Sequence, residues 1–360
     1  MKFSSVVLSF LLITFLSANC FAQGFGNEIQ ITASDASSLD NFGFSVDIAG
    51  DIMVASARND DDAALNAGSA YVYRFNGVSW VEEQKIFASD AAPEDSFGSC
   101  VAISGETIVI GAAWSDSAGD NSGAAYVYRY NGSSWVEEQK LTASDGAAWD
   151  FFGFRADISG DTIVVGAGHD DDAGPDTGSA YVYRYNGTSW IEEQKLSASD
   201  AVAYNLFGAG LTISGDLIFV GAPGNDEAGA YSGSVYVYRY NGTSWVEEQE
   251  LTASDAAAED QFGNRVAIDG DTLVVSGILN DSAGVDSGSA YVYRYNGSSW
   301  IEEQKLTASD AAPGDSFGVD VAIYGETLAV CAWWDDDAGT NSGSAYVFDT
   351  RKKFIRTDRN

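Results

Sequence analysis

Aspartate is the residue type through which this sequence could do chemistry. Six acidic segments, NDDDAALNAG, SDSAGDNSG, HDDDAGPDTG, NDEAGAYSG, NDSAGVDSG and DDDAGTNSG, place Asp61, Asp116, Asp171, Asp226, Asp281 and Asp336 at one shared position. Five residues on stand Asn66, Asn121, Asp176, Tyr231, Asp286 and Asn341. Carboxylate and amide oxygens gathered beside glycine turns are the ligand chemistry of a hard cation such as calcium. The same residues build turns without any metal, because Asp and Asn side chains bond their own backbone. The spacing matches no established calcium loop, so both readings stay open for Asp61, Asp116, Asp171, Asp176, Asp226, Asp281, Asp286 and Asp336. A second acid set, including Asp35, Asp40, Asp90, Asp95, Asp145, Asp150, Asp255, Asp260, Asp310 and Asp315, carries the same alternatives.

Other catalytic chemistry finds little footing. His169 is the only histidine, and no serine or cysteine has a nucleophile context. The sets of Cys and His that hold zinc are absent. Two carboxylates suffice for glycoside hydrolysis, yet a catalytic pair should break the repeat, whereas these acids follow it. The expectation is a protein that is not an enzyme.

The elements that position the acids repeat at fixed intervals. Phe-Gly pairs begin at Phe42, Phe97, Phe152, Phe207, Phe262 and Phe317, always 55 residues apart, and Trp80, Trp135, Trp190, Trp245 and Trp300 keep the same step. A fixed period of this kind marks a repeat architecture. Within one copy, FGSCVAI opens a strand and TIVIGA is a continuous apolar run, as in a strand covered on both faces. After the acidic loop, AAYVYRY alternates with period two and places Tyr126, Tyr128 and Tyr130 on one face. Asn131-Gly132 then predicts a tight hairpin in which both residues take positive φ, and WVEEQKLTA forms the fourth strand. Four antiparallel strands, repeated, are the blade of a β-propeller. The expected fold is all-β: six four-stranded blades of 55 residues.

The sixth copy ends after its third strand, at Thr350. FGNEIQITASD, Phe25 to Asp35, aligns with WVEEQKLTASD and is expected to complete that blade and close the ring. The repeat resembles the FG-GAP repeat of integrin α-subunit propellers and their secreted bacterial relatives. The fourth copy carries both name-giving halves, Phe207-Gly208 and Gly221-Ala222-Pro223, and the others relax the second, as in Gly111-Ala112-Ala113. The resemblance implies a non-enzymatic, often extracellular propeller that engages protein or surface ligands. Two departures accompany it. Integrin α propellers have seven blades, and their calcium loop lies between the first two strands, where this chain has only SGET or a variant; that calcium site does not carry over.

Residues 1–22 read as a signal peptide, with Lys2, an apolar run from Val6 to Leu16 and small residues before cleavage at Ala22. The propeller is expected over 23–350, followed by a basic tail at 351–360, RKKFIRTDRN. The chain is expected to be secreted or in the cell envelope. With 53 acids against 18 Lys and Arg and a net charge of −35, nucleic acid and anionic membranes are excluded as partners; cations and basic proteins are attracted. Cys100 and Cys331 lie in non-neighbouring copies and read as buried, unpaired thiols.

The copies differ mainly at loop positions. Trp114, His169 and Trp334 share one aligned site, Trp333 and Trp149 lie close by, and Arg155, Arg265 and Asp320 follow a Phe-Gly pair. A constant scaffold with variable loops presents a binding surface. Trp and Arg are common anchors of such surfaces, so Trp114, Trp149, His169, Trp333, Trp334, Arg155 and Arg265 are the candidate ligand-binding residues. Three functions follow: recognition of a protein or cell-surface partner, calcium-assisted or not; a carbohydrate-binding or glycan-processing propeller with tryptophan platforms; and an envelope protein with no discrete ligand.

Overall fold

The computed structural model describes residues 29–349. The signal-peptide segment, Phe25 to Glu28 of the expected closing strand, and the basic tail lie outside the described residues. The chain divides into residues 1–34 and 35–360. Of the first unit, residues 29–34 are described, and they form no strand.

The second unit is a six-bladed β-propeller. Five sheets have four antiparallel strands in the order of the chain, and the sixth has three. Blade one runs Phe42–Ala49, Ile52–Ala57, Ser69–Phe75 and Trp80–Ile86; blade six runs Phe317–Tyr324, Thr327–Ala332 and Ser344–Asp349. Among the described residues there is no helix, and so none long and apolar enough to cross a membrane. One turn differs from expectation. Gly132 has φ 93° but Asn131 does not turn positive, and the loop is four residues long. Asn131 Oδ1 instead accepts the Ser133 and Ser134 N–H groups, both at 3.0 Å. The asparagine therefore acts as a side-chain acceptor.

The blades are joined by three repeated devices. Five apolar cores fill the spaces between consecutive blades; the first combines Val54, Val72 and Ile86 of blade one with Phe97, Ile110, Tyr126 and Trp135 of blade two. Phe97 meets Tyr126 and Tyr128 edge-on, with ring centroids at 5.4 and 6.1 Å, the geometry that the ring quadrupoles favour. At the inner end, the N–H of each Phe from Phe97 onward donates to the preceding blade's acidic loop, as Phe97 does to the Ala67 carbonyl at 2.8 Å. At the outer edge, Gln84 holds the next blade's backbone with both amide atoms: Nε2 donates to the Trp135 carbonyl and Oε1 accepts the Trp135 N–H, each at 2.8 Å. Gln139, Gln194 and Gln249 repeat this clamp on Trp190, Trp245 and Trp300. Edge strands that would otherwise invite foreign pairing are thus tied to their neighbours.

The joint is not repeated between blades six and one among the described residues. Val46 and Ile48 are 59% and 55% exposed, whereas their counterparts Val101 and Ile103 are 6% and 7%. On blade six, Val347 and Tyr324 are exposed, and Cys331 is half-buried rather than buried as expected. Where other blades carry a fourth strand, blade six leaves a notch lined by Val292, Gln304, Leu306, Leu328 and Phe348.

Candidate functional site on the loop face

The loops after the second and fourth strands meet on one face: the Glu94 N–H donates to the Leu65 carbonyl at 2.8 Å, and Asn66 Nδ2 reaches Glu94. Four of the acids considered as calcium ligands cap these loops. Asp61, Asp116, Asp226 and Asp281 each accept, through Oδ1, the N–H five residues on, at 2.7–2.8 Å. His169 Nδ1 lies 3.0 Å from Asp176 Oδ1. The acceptor role is the turn chemistry of Asp.

The electrostatic centre of each loop pair lies one residue earlier, at a position the sequence reading passed over. In blade three, Lys195 Nζ lies 2.7 Å from Asp145, 2.8 Å from Asp170 and 2.7 Å from Asp172. Tyr181 OH also reaches Asp145 and Asp170, at 2.8 and 2.5 Å. Blade one repeats this arrangement with Lys85 at 2.7 Å from each of Asp35, Asp60 and Asp62. Lys140 meets Asp90 beside Ser115 and Ser117, and Lys305 meets Asp255, Asn280 and Ser282. Each lysine also lies 5.1–5.2 Å from a tyrosine ring centroid, within cation–π range. Blade six brings Asp310, Asp335 and Asp337 into one group, with Tyr346 OH on two of them. Blade four has Asp200, Asn225 and Glu227, with Glu250 at the lysine position.

These surroundings move the carboxyl groups in opposite directions. Asp35, Asp60, Asp90, Asp145 and Asp255 resist the upward push of burial through their lysine and tyrosine partners and end below the usual carboxylate range. Burial raises Asp47 and Asp150 to about 6, and burial with the Glu227 and Asp200 charges raises Glu250 to about 7. For the raised groups the native state binds more protons, so stability falls as pH rises from about 4 to about 7. The lowered groups stabilise above the unfolded carboxylate pKa and lose that effect as pH drops below about 4. Melting followed from pH 3 to 9 is therefore expected to peak in mildly acid solution. The loss toward neutrality is on the order of 3 kcal/mol after discounting for partial exposure. A stability maximum above pH 7 would contradict these shifts.

Three candidate binding residues come together. Trp114 packs edge-on against Phe151 and Phe154, at 5.7 and 6.1 Å; Trp149 and His169 also meet Phe151, at 6.1 and 5.2 Å. Arg58 stacks on Phe44 at 4.1 Å and lies 5.4 Å from Trp114. Phe44, Arg58 and Phe154 were missed in the sequence reading, although their departure from the other copies was visible. Trp333 and Trp334 stand apart on blade six, 51% and 52% exposed. Arg155 and Arg265 take a different place from the loop surface expected for them. They lie on the first strands of blades three and five. Arg155 is desolvated over Phe154, and Arg265 is 3.8 Å from Asp320. Burial and the nearby Arg155 charge lower Arg265 to about 9.

Sheet order, blade succession and loop face define a β-propeller whose variable surface is carried by one set of loops. The FG-GAP repeat family model matches residues 25–73, 80–128, 135–183, 190–238, 245–293 and 300–348. The chain belongs to the FG-GAP repeat family. Each match begins at the position of the repeated tryptophans, which Phe25 fills in the first. A search of curated proteins finds no match.

Proposed function

We propose that this chain is an exported, non-enzymatic binding module that recognises a protein or cell-surface partner with the loop face of its propeller. The observation that carries the reading is the aromatic and cationic patch of Trp114, Trp149, Phe151, His169 and Arg58, built on loops that vary over strands that do not. Large aromatic side chains beside arginine supply anchor energy at protein interfaces. FG-GAP propellers are consistent with such a role. Export rests on the charge and apolar pattern of residues 1–22, and cation assistance on the acidic loops.

A second reading, glycan binding, is favoured by the paired, half-exposed Trp333 and Trp334. Immobilised extracellular proteins and glycans probed with the mature chain separate the two. The expected result is saturable binding to a protein, unaffected by Trp334→Ala. Binding confined to glycans and lost in Trp334→Ala would replace the first reading with the second.

A further inference from the structure

The arginines of the third strands, Arg74, Arg129, Arg184, Arg239 and Arg294, each meet a glutamate at 2.8–3.1 Å. Arg155 and Arg265 have no such partner. Arg155 Nε is buried and makes no hydrogen bond, and its Nη1 donates only to the Phe154 carbonyl, at 3.1 Å. Arg265 Nη1 donates to the carbonyl and Oδ1 of its own neighbour Asn264, at 2.9 and 2.8 Å, while the Asp320 carboxylate stays 3.8 Å from Nε. A guanidinium keeps its charge near neutral pH, and a buried charge without a close counter-charge is costly.

The backbone around these two arginines is short of acceptors as well. First strands pack side by side from blade to blade, and a side chain on one reaches the N–H 56 residues on in the next. Ser45 Oγ accepts the Val101 N–H at 3.1 Å, Asp47 the Ile103 N–H at 2.7 Å and Asp157 the Ile213 N–H at 2.8 Å. The counterparts of Ser45, each three residues beyond the Phe of a Phe-Gly pair, are Cys100, Arg155, Gly210, Arg265 and Asp320. Leu211, Val266 and Val321 pair within their blades as Val101 does, so their N–H groups face the same way. Preceding them in the ring are Arg155, Gly210 and Arg265, whose side chains offer no acceptor, and the bond that Val101 receives is not made. All three residues are buried. A Cβ on Gly210 would lie 2.4 Å from the Gly263 carbonyl oxygen, so no side chain stands between the two arginine positions. Asp157 is already committed, with Oδ2 to Thr212 and Ile213 and Oδ1 to Ile158. Main-chain donors on a sheet edge beside guanidinium groups suit an anion.

We propose that the opening ends of the first strands of blades three to five bind a small carboxylate anion, held by the guanidinium groups of Arg155 and Arg265 and the N–H groups of Leu211 and Val266. A carboxylate presents two oxygens to the guanidinium fork. It adds a single negative charge, whereas a phosphate dianion meets more repulsion in a chain of net charge −35. The inference is independent of partner recognition by the loop face, and its test needs no partner.

The experiment is calorimetric titration of sodium acetate into the mature protein near neutral pH, with ionic strength held constant by sodium chloride and melting followed in the same solutions. One saturable site of millimolar Kd or tighter is expected, and the melting temperature is expected to rise as acetate replaces chloride. Arg155→Ser and Arg265→Ser each introduce the residue of blade one, which supplies the missing acceptor. Both are therefore expected to fold, to melt no lower than the parent in chloride, and to bind acetate about tenfold or more weakly. Arg184→Gln removes the same charge from a third strand and is expected to leave acetate affinity within about twofold of the parent. No saturable acetate binding by the parent, or equal affinity in the parent and either serine variant, would overturn the proposal. Inorganic phosphate bound more tightly than acetate, and lost in Arg155→Ser, would overturn the assignment to a carboxylate. Should one serine variant not fold, the other carries the test with the same outcomes.

Discussion

Gly123→Ala is expected to cost about 4 kcal/mol or more, a large part of the stability of a typical domain. Gly123 sits where the acidic loop of blade two enters its third strand, with φ +84°, and a Cβ there would lie 2.0 Å from the Phe152 carbonyl oxygen and 2.5 Å from its nitrogen. Both atoms are backbone, fixed by the Phe152 N–H bond to Ser122 and the Phe152 rings against Tyr181 and Tyr183, so the clash cannot be relieved by a side-chain rotation. A Cβ at the counterparts Gly68, Gly178, Gly233 or Gly288 would likewise lie 2.1–2.2 Å from the next blade's backbone, so this glycine permits the close approach at every described joint. Gly132→Ala provides the control. Its φ is +93° but nothing lies within 4 Å, so only the backbone penalty of about 1–2 kcal/mol applies. Urea unfolding of the two variants should separate them by at least twofold in cost; equal losses would mean that close backbone approach does not hold the blades together.

The second large effect belongs to Lys195. Lys195→Met is expected to destabilise by about 3 kcal/mol, because it strands Asp145, Asp170 and Asp172 around a mostly buried point without a counter-charge. The figure stands at the lower end for a broken buried pair because the lysine is 26% exposed. Lys140→Met should cost about 1 kcal/mol, since Lys140 answers only one carboxylate, Asp90. The three blade-three aspartates already lie within ligand distance of one another. Millimolar calcium is accordingly expected to restore Lys195→Met and to leave Lys140→Met unchanged. Equal costs for the two lysines would show that the clusters act as surface ion pairs.

The architecture was legible because its signals are local and repeated: Phe-Gly, the tyrosine alternation, the tryptophan step and the absence of helical periodicity. The lysine-centred clusters were legible in principle. Lys85, Lys140, Lys195 and Lys305 keep the 55-residue step and Glu250 breaks it, but the partners lie 50 residues away along the chain, as in Lys85 and Asp35, and no local pattern joins them. The arginines were misplaced for a different reason. Register shifts where blades one, two, five and six open, between Phe262 and Val266 around Arg265 for example, and period-two counting cannot be carried through a bulge. Thus Arg265, read as loop decoration, lies within the bulged first strand of blade five, whereas Arg155 opens the regularly paired first strand of blade three, where no bulge accounts for its placement. Asn131-Gly132 misled more simply, since an asparagine that accepts backbone N–H groups needs no positive φ. Among the described residues the joint between blades six and one is not repeated, and the exposure there of Val46 and Ile48 could not be read from their types, which match the buried Val101 and Ile103.

The reading that one face recognises a partner is tested most directly by placing one substitution on each face. Trp149, 56% exposed, lies in the aromatic patch; Val78, 84% exposed, lies on a hairpin at the opposite end of the blades. Affinity for an extracellular protein captured on the panel would be measured for the parent, Trp149→Ser and Val78→Ser. The expected result is a loss of about tenfold or more for Trp149→Ser, as for an aromatic anchor, with Val78→Ser within twofold of the parent. Loss in Val78→Ser with Trp149→Ser unaffected would place recognition on the other face and contradict the account.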